Sequence, residues 1–471
     1  MTAGQSVRPA DADPVVPVRS PAPASVPAPA CPAGAAPKPV FTTELCRDTD
    51  RFAELAPAWD ALHRRSRNAT PFQCHAWLYS WWLAYGKRGR LRVVLVHRDG
   101  ELVAAAPLML VRGALPVLVP IGTGITDYCD VLLDEGPDGP AGPDGAAVAE
   151  ALARALANAA RTAVIDLREV RPGAAAERVL ACWRGPRREL PDSLCLELPA
   201  LTMDELLGRL ATARSQRARA KMRKLDALGI QERPVPEAEV PDAVGRLLGL
   251  HRLQWQGRGV TQEHLSARFS DHLTRAVTSM VATGTARVTE FRLEGKVVAA
   301  DLTLMSGRME GGYLYGVDPT LRARKVDVAT MLLRSAVRHI GASGRSTLSL
   351  LRGDEPYKHH WRPETVRNQR LLMARPSLAP VLWLVAARAA GRSRAAALVK
   401  RLRAADGRHG GDQQSSATRP DRRASAKSTG KQAGARSTGK RARAEGGRAA
   451  REDKGRGKGR GNVRGGDNVR G

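Results

Sequence analysis

Between Leu350 and Trp361 the chain reads LLRGDEPYKHHW, and the ten residues from Arg352 onward crowd an Arg, an Asp, a Glu, a Tyr, a Lys and two His into one short segment. Side chains of these types move protons. Asp354 and Glu355 are adjacent carboxylates whose repulsion raises one pKa where both are partly buried, which suits a base. Lys358 can neutralise that pair or face an anionic group, and Tyr357 can donate a proton or hold a substrate. The plainer alternative is a solvated turn, Asp354-Glu355-Pro356, that ends the apolar run STLSLL, with Lys358 snorkelling at the surface. His359 and His360 are neighbours in sequence and point apart in either regular structure, a poor geometry for one metal. No metal is expected.

Four further groups stand out. Asp301 interrupts the apolar stretch VVAADLTLM; a lone buried carboxylate is costly, so it points either to solvent or into a cleft. Tyr313 and Tyr315, spaced by two, share one face of a strand, where they line a pocket or simply pack. GTGITDYCD places Asp127, Tyr128 and Asp130 after a strand in the first half of the chain, as a polar loop or as part of a site. ARSQRARAKMRKLDALG carries Arg214, Arg217, Lys221 and Lys224 at i, i+3, i+7 and i+10, a basic stripe that is either a solvated face or a seat for a polyanion.

The elements that must position these residues repeat. LRVVLVHRDGELVAAAPLML (Leu91 to Leu110) aligns without gaps with ARVTEFRLEGKVVAADLTLM (Ala286 to Met305), and Ala106 stands where the second copy has Asp301. Each copy reads as strand, acidic-Gly turn, strand. Helical segments precede both hairpins, and a strand and a helical stretch (AAVAEALARALANAA, VATMLLRSAVRHIGASG) follow both. The expected order in the second half ends with a strand near 311–316, a helix over 327–342 and a last core strand over 347–351, whose end opens into the acid–base loop. The fold class expected is α/β with a mixed sheet, built from two copies of one unit over 41–200 and 201–375. Ligands of open α/β sheets bind at such strand ends.

Outside these units composition changes. Residues 1–40 are Pro, Ala and Val-rich and are expected to be a disordered arm, and 405–471 a disordered basic tail. Of the formal charge of +28, an excess of +13 lies in 401–471, so the basic balance says more about attraction of the tail to nucleic acid or anionic membrane than about the folded body. Residues 376–404 read as a basic amphipathic helix that lies on a membrane or packs on the body. GARSTGKR (Gly434 to Arg441) approaches a Walker A loop but lacks its Ser/Thr and its strand. Six cysteines without CxxC spacing, no secretory h-region and no run of about 18 apolar residues point to a cytoplasmic protein, at most peripheral at the membrane.

TPFQCHAWLYSWW, IGTGITDYCDVLLD, ARSQRARAKMRKLDALG, YLYGVDPTLR and LLRGDEPYKHHW, in this order over about 41–375, resemble the GNAT acyltransferase unit in tandem, as in Fem peptidyltransferases and in the CelD-like and BioF-like branch. The resemblance implies an N-acyltransferase that moves an acyl group from acyl-CoA to an amine-bearing small molecule or sugar in a cleft between the units. It implies Asp354 or Glu355 as base, Tyr315 or Tyr357 as proton donor, and Lys358 or Arg352 as an electrostatic aid, with Asp301 facing the cleft. Asp127, Tyr128 and Asp130 would complete the acceptor site from a first unit that has lost its own. GNAT enzymes usually cradle the CoA pyrophosphate with a glycine loop opening a helix. Here DPTLRARKVDVATMLL has no glycine, leaving Arg322, Arg324 and Lys325, with Arg214 and Arg217, to meet phosphate as side chains. An aminoacyl-tRNA donor, or a non-catalytic binding protein on a degenerate GNAT scaffold, are the alternatives.

Overall fold

In the computed structural model, which describes residues 40–391 apart from 137–138, 140–141 and 257–260, two halves of like design share one sheet. The first half runs β1 (Phe41–Cys46), α1 (Thr49–Glu54), α2 (Ala56–Arg65), α3 (His75–Tyr85), β2 (Leu91–Arg98), β3 (Glu101–Val111), β4 (Val117–Pro120), β5 (Leu132–Leu133), α4 (Pro143–Ala159), β6 (Val164–Val170), α5 (Ala175–Ala181) and β7 (Arg187–Pro199). The second runs α6 (Met203–Gly208), α7 (Thr212–Ala227), β8 (Gln231–Pro234), α8 (Val240–Trp255), α9 (Ala267–Ala282), β9 (Ala286–Leu293), β10 (Lys296–Met305), β11 (Met309–Val317), α10 (Pro319–Ala323), α11 (Val328–Ser343), β12 (Thr347–Arg352) and β13 (Glu364–Met373). The expected N-terminal arm, the basic tail, the Gly434–Arg441 segment and the basic helix beyond 391 lie outside the described residues.

The sequence repeat is a structural one. Asp99 and Gly100 (φ 52° and 87°) and Glu294 and Gly295 (φ 53° and 78°) make two-residue turns with both central residues left-handed. That backbone matches the twist of the flanking strands. The strand limits Leu91, Arg98 and Glu101 recur at Ala286, Leu293 and Lys296.

Across the sheet the order is β1-β2-β3-β4-β6-β13-β7-β12-β11-β10-β9-β8, with β5 on β3. Each half therefore lays five strands outward on its own side and lends its last strand to the other: β13 pairs with β6, and β7 with β12. The fold is thus a mixed α/β sheet of two units of like design. Among the described strands only β4·β6 and β11·β12 are parallel, each joined through a crossover helix, α4 or α11. The strand over 347–351 is not the last core strand; β13 follows it and lies at the centre of the sheet.

In the second half one face of the sheet packs on α8 and α9, and α9 meets α3 of the first half, in a core that includes Trp77, Phe72, Leu247 and Phe269. The other face packs on α7 and α11 around Leu225, Phe291, Leu321 and Met331. α8 crosses β11 so closely that a Cβ at Gly316 would lie 2.4 Å from His251 N and 2.6 Å from Leu247 O. Those are backbone atoms of a helix and cannot swing aside. Gly316→Ala is expected to lose about 1–3 kcal/mol of stability or more, read as a lower denaturant midpoint; an unchanged midpoint would show that α8 slides freely over β11.

Candidate active site

β11 and β12 pair at only three positions, Met309–Thr347, Glu310–Leu348 and Gly311–Ser349. Beyond them β11 continues on β10 alone, while β12 stays with β7 on its other side, its register shifting before Arg352–Cys195. Left-handed backbone at Leu351 (φ 56°) and Gly353 (φ 120°) bends the end of β12. Leu351 fits against Gly311, where a Cβ would stand 2.9 Å from its Cδ2. The strands part, and the wedge between them holds a cleft of about 110 Å³.

Asp301, Tyr315, Tyr357 and Lys358 line this cleft, with Thr303 beside them and Leu333, Leu348 and Trp361 as apolar wall. Asp301 and Tyr315 are direct cross-strand partners. Thr303 Oγ1 donates to Asp301 Oδ2 at 3.0 Å, and burial pushes the Asp301 carboxyl up to about 6. Gly312 leaves the carboxylate room: a Cβ there would sit 4.0 Å from Asp301 Oδ1. Tyr357 faces Tyr315, and burial, then the neighbouring Tyr315 and Glu355, hold its phenol well above the ordinary value, so it stays protonated. Lys358 is buried, with Nζ donating to Arg352 O (3.0 Å) and Glu355 Oε2 (2.8 Å). An ammonium has three donors, so one can point into the cleft.

The tyrosine pair departs from the sequence expectation. The β10·β11 register slips between Leu302 and Thr303, so that Tyr313 is an extra residue on β11. A bulge of this kind breaks the alternation of faces. Tyr313 joins Leu314 in the aromatic core and donates to Ile125 O at 2.8 Å, while Tyr315 lies on the cleft face. The loop acids also lie elsewhere: Asp354 pairs with His359 Nε2 at 2.6 Å and Glu355 with Lys358, both exposed, and neither lines the cleft.

Through Ala329, Tyr357 and Trp361 the cleft opens into a groove of about 640 Å³ between α7, the start of α11 and the 358–361 turn. Arg214, Arg217 and Lys221 line it from one side, and His359 and His360 from the other. Arg214 and Arg217 pair with no carboxylate among the described residues, whereas Lys221 Nζ meets Asp327 Oδ2 at 2.5 Å. Asp327 caps α11 by accepting from Thr330 N at 2.9 Å. Burial would raise its pKa, but Lys221 and the Thr330 N–H outweigh it and hold the carboxyl below the usual range. The helix start where a glycine cradle would bind phosphate thus carries its own anion, and phosphate there must be met by side chains. The turn a glycine would ordinarily make is made by Lys325 at φ 53°. Arg322 and Lys325 line a smaller hollow with Lys221 and Lys224, and Arg324 is taken up by Glu294 at 3.0 Å.

The first-half candidates divide. Asp130 is a structural cap that accepts from Ala175 N (2.9 Å), Ala176 N and Val131 N (both 2.8 Å); burial, opposed by these donors, pushes it up to about 7. Tyr128 is fully buried, donating to Glu197 Oε1 at 2.8 Å beside Ser349 Oγ. Asp127 meets the end of β12 without lining the cleft: its Oδ1 pairs with Arg352 at 3.1 Å, and Arg352 also holds Glu169 at 3.0 Å. Burial raises the Asp127 pKa against the pull of Arg352. Where the second half opens its wedge, the first half stops β4 at Pro120 and buries Ile121, Ile125, Tyr128 and Val131. Ala106, the counterpart of Asp301, is also fully buried. Sequence reasoning missed Thr303, Trp361, the Lys221–Asp327 pair and His251, whose Nδ1 meets Tyr315 O at 2.8 Å. Of these only Thr303, two residues after Asp301 on the same face, carried a signal.

Residues 212–359 match the family model described as acetyltransferase (GNAT) domain. This stretch contains most of the residues that line the wedge and the groove. Among solved structures, FemX is similar at 12% identity, covering 70% of this chain and 98% of that one, with a TM-score of 0.50. A conserved protein of unknown function from Bacteroides thetaiotaomicron is similar at 11% identity, covering 71% and 100%, with a TM-score of 0.47. A tandem GNAT protein from the clavulanic acid biosynthesis pathway is similar at 13% identity, covering 72% and 99%, with a TM-score of 0.34. No curated protein sequence matches the chain. The match over 212–359 supports a function of acyltransferase type, and no helix among the described residues is long and apolar enough to cross a membrane.

Proposed function

We propose that the protein transfers an acyl group from acyl-CoA to an amine, and that the second half, 201–375, does the chemistry. The observation that carries this reading is a half-buried carboxylate and two phenols converging in the β11/β12 wedge, open at one end to a cationic groove. Arg214, Arg217 and Lys221 would hold the donor phosphates by charge-assisted hydrogen bonds. The apolar wall of Leu333, Leu348 and Trp361 would guide the thioester arm inward and exclude water. Asp301, its proton affinity raised by burial, takes the proton from the attacking amine. The edge of β11 beyond Gly311 has no strand partner on the β12 side, and with the free Lys358 N–H it faces the carbonyl oxygen as negative charge develops. Tyr357 or Tyr315 protonates the departing thiolate. Asp127 and Glu169 of the first half hold Arg352 at the end of β12, and this cluster would bind the acceptor.

Aminoacyl-tRNA as donor is the second reading. It is favoured by the side-chain anion groove and by Asp327 at the helix start, since neither demands a CoA pyrophosphate. Thermal unfolding separates the two. A donor that binds only the folded protein at about 100 times its Kd stabilises it by about 2.7 kcal/mol. Acetyl-CoA or a longer acyl-CoA is expected to raise the midpoint and release thiol when amines are supplied; a shift with aminoacyl-tRNA alone would transfer the assignment, and no shift with any donor would sink both.

A further inference from the structure

The last described helix, residues 379–391, buries Leu382, Val385, Ala386 and Ala389 against the body. Its opposite face is not polar. It presents Pro380, Trp383, Leu384, Ala387 and Arg388 to solvent. Trp383 and Leu384 are 51% and 56% exposed, and they are the one pair of consecutive large apolar side chains so exposed among the described residues. A helix apolar on both faces normally has a second neighbour.

Charge decides what that neighbour is. The Arg188 guanidinium lies 3.8 Å from the centre of the Trp383 ring, and Arg388 stands one turn further on the same face. In sequence the next twelve residues, Arg392 to Arg403, add five Lys and Arg and no acid. A second copy of a chain with a net charge of +28 would bring like charges together here. An anionic bilayer is complementary. Indole and leucine enter the interfacial layer while arginines beside them meet lipid phosphates, the division of labour of helices that lie on membranes. We propose that this face docks the protein on an anionic phospholipid surface, with Trp383 and Leu384 inserted. The proposal is independent of the chemistry assigned to the wedge.

The test uses the full chain with vesicles of phosphatidylcholine alone or mixed with phosphatidylglycerol. Sedimentation with the mixed vesicles, weakening as salt rises, and little with phosphatidylcholine are expected. Trp383→Ser with Leu384→Ser should reduce partition at least about tenfold without lowering the thermal midpoint, because both side chains are exposed. Brominated lipid should quench tryptophan emission of the parent, and Trp383→Ser should remove that quenching. Absence of binding by the parent, equal binding to both vesicles, or undiminished binding by the double variant would overturn the proposal. Loss of self-association in the double variant with vesicle binding unchanged would do so as well, by placing a second copy on this face.

Discussion

Replacing Asp301 by Asn is expected to lower turnover by about 10²- to 10⁴-fold while the sheet stays intact, because Asn keeps an oxygen for the Thr303 hydroxyl. The parent should lose rate about tenfold per pH unit below about 6, where burial has placed the Asp301 carboxyl. The variant should lack that limb. Stability moves the other way. The folded pKa lies above the unfolded value of about 3.9, so protonation favours the fold: the stabilisation is complete below about pH 4 and is lost as pH rises through about 6. Asp301→Asn should therefore be the more stable protein at pH 8, by up to about 3 kcal/mol, with the gap closing in acid. Asp354→Asn with Glu355→Gln, outside the cleft, serves as the control and should cost less than about tenfold. If this pair loses the larger factor and Asp301→Asn keeps its rate, the base belongs to the loop.

Arg214→Gln with Arg217→Gln should raise the KM for an anionic donor by about 10²-fold or more with kcat little changed, since both arginines hold a part of the donor remote from the reacting carbonyl. The side chains are exposed on α7, so the fold has little at stake. Exposure also makes the contact sensitive to salt: the parent KM should climb with ionic strength, and the variant KM should climb less. Lys221→Met would leave the Asp327 carboxylate uncompensated beside the phosphates and should be worse than either single arginine change. A donor KM indifferent to the double substitution and to salt would remove the groove from the binding site.

The hairpins, their turns, the crossover helices and the basic helix were legible because each follows from a local pattern: strict apolar runs, an acidic-Gly pair, a helical period. The exchanged strands were not. RRELPDSLCLELP and ETVRNQRLLM are studded with charges and look like surface chain. They sit at the centre of the sheet because their charges find partners on and just after β6: Glu197 pairs with Arg171 at 2.6 Å, and Arg370 with Asp166 at 2.6 Å. Within the site, Asp301 and the arginine stripe could be picked out one residue at a time, as an acid among apolar neighbours and as cations on one helical face. That Asp354 and Glu355 turn to solvent depends on where β12 bends, and that Tyr313 leaves Tyr315 depends on one inserted residue, neither of which a periodic pattern records.

The loan of β7 and β13 makes synthesis order matter. When the first half leaves the ribosome, β6 has an open edge, and the strand that covers it is among the last of the folded body to be made. Meanwhile β7 waits for β12, a partner some 150 residues downstream. Two long-range closures must both succeed before either half is whole, which marks this chain as a slow folder with exposed edges in transit. It also means that the 212–359 segment cannot be lifted out as a working cassette: cut there, β12 loses β7, and the wall of the wedge goes with it.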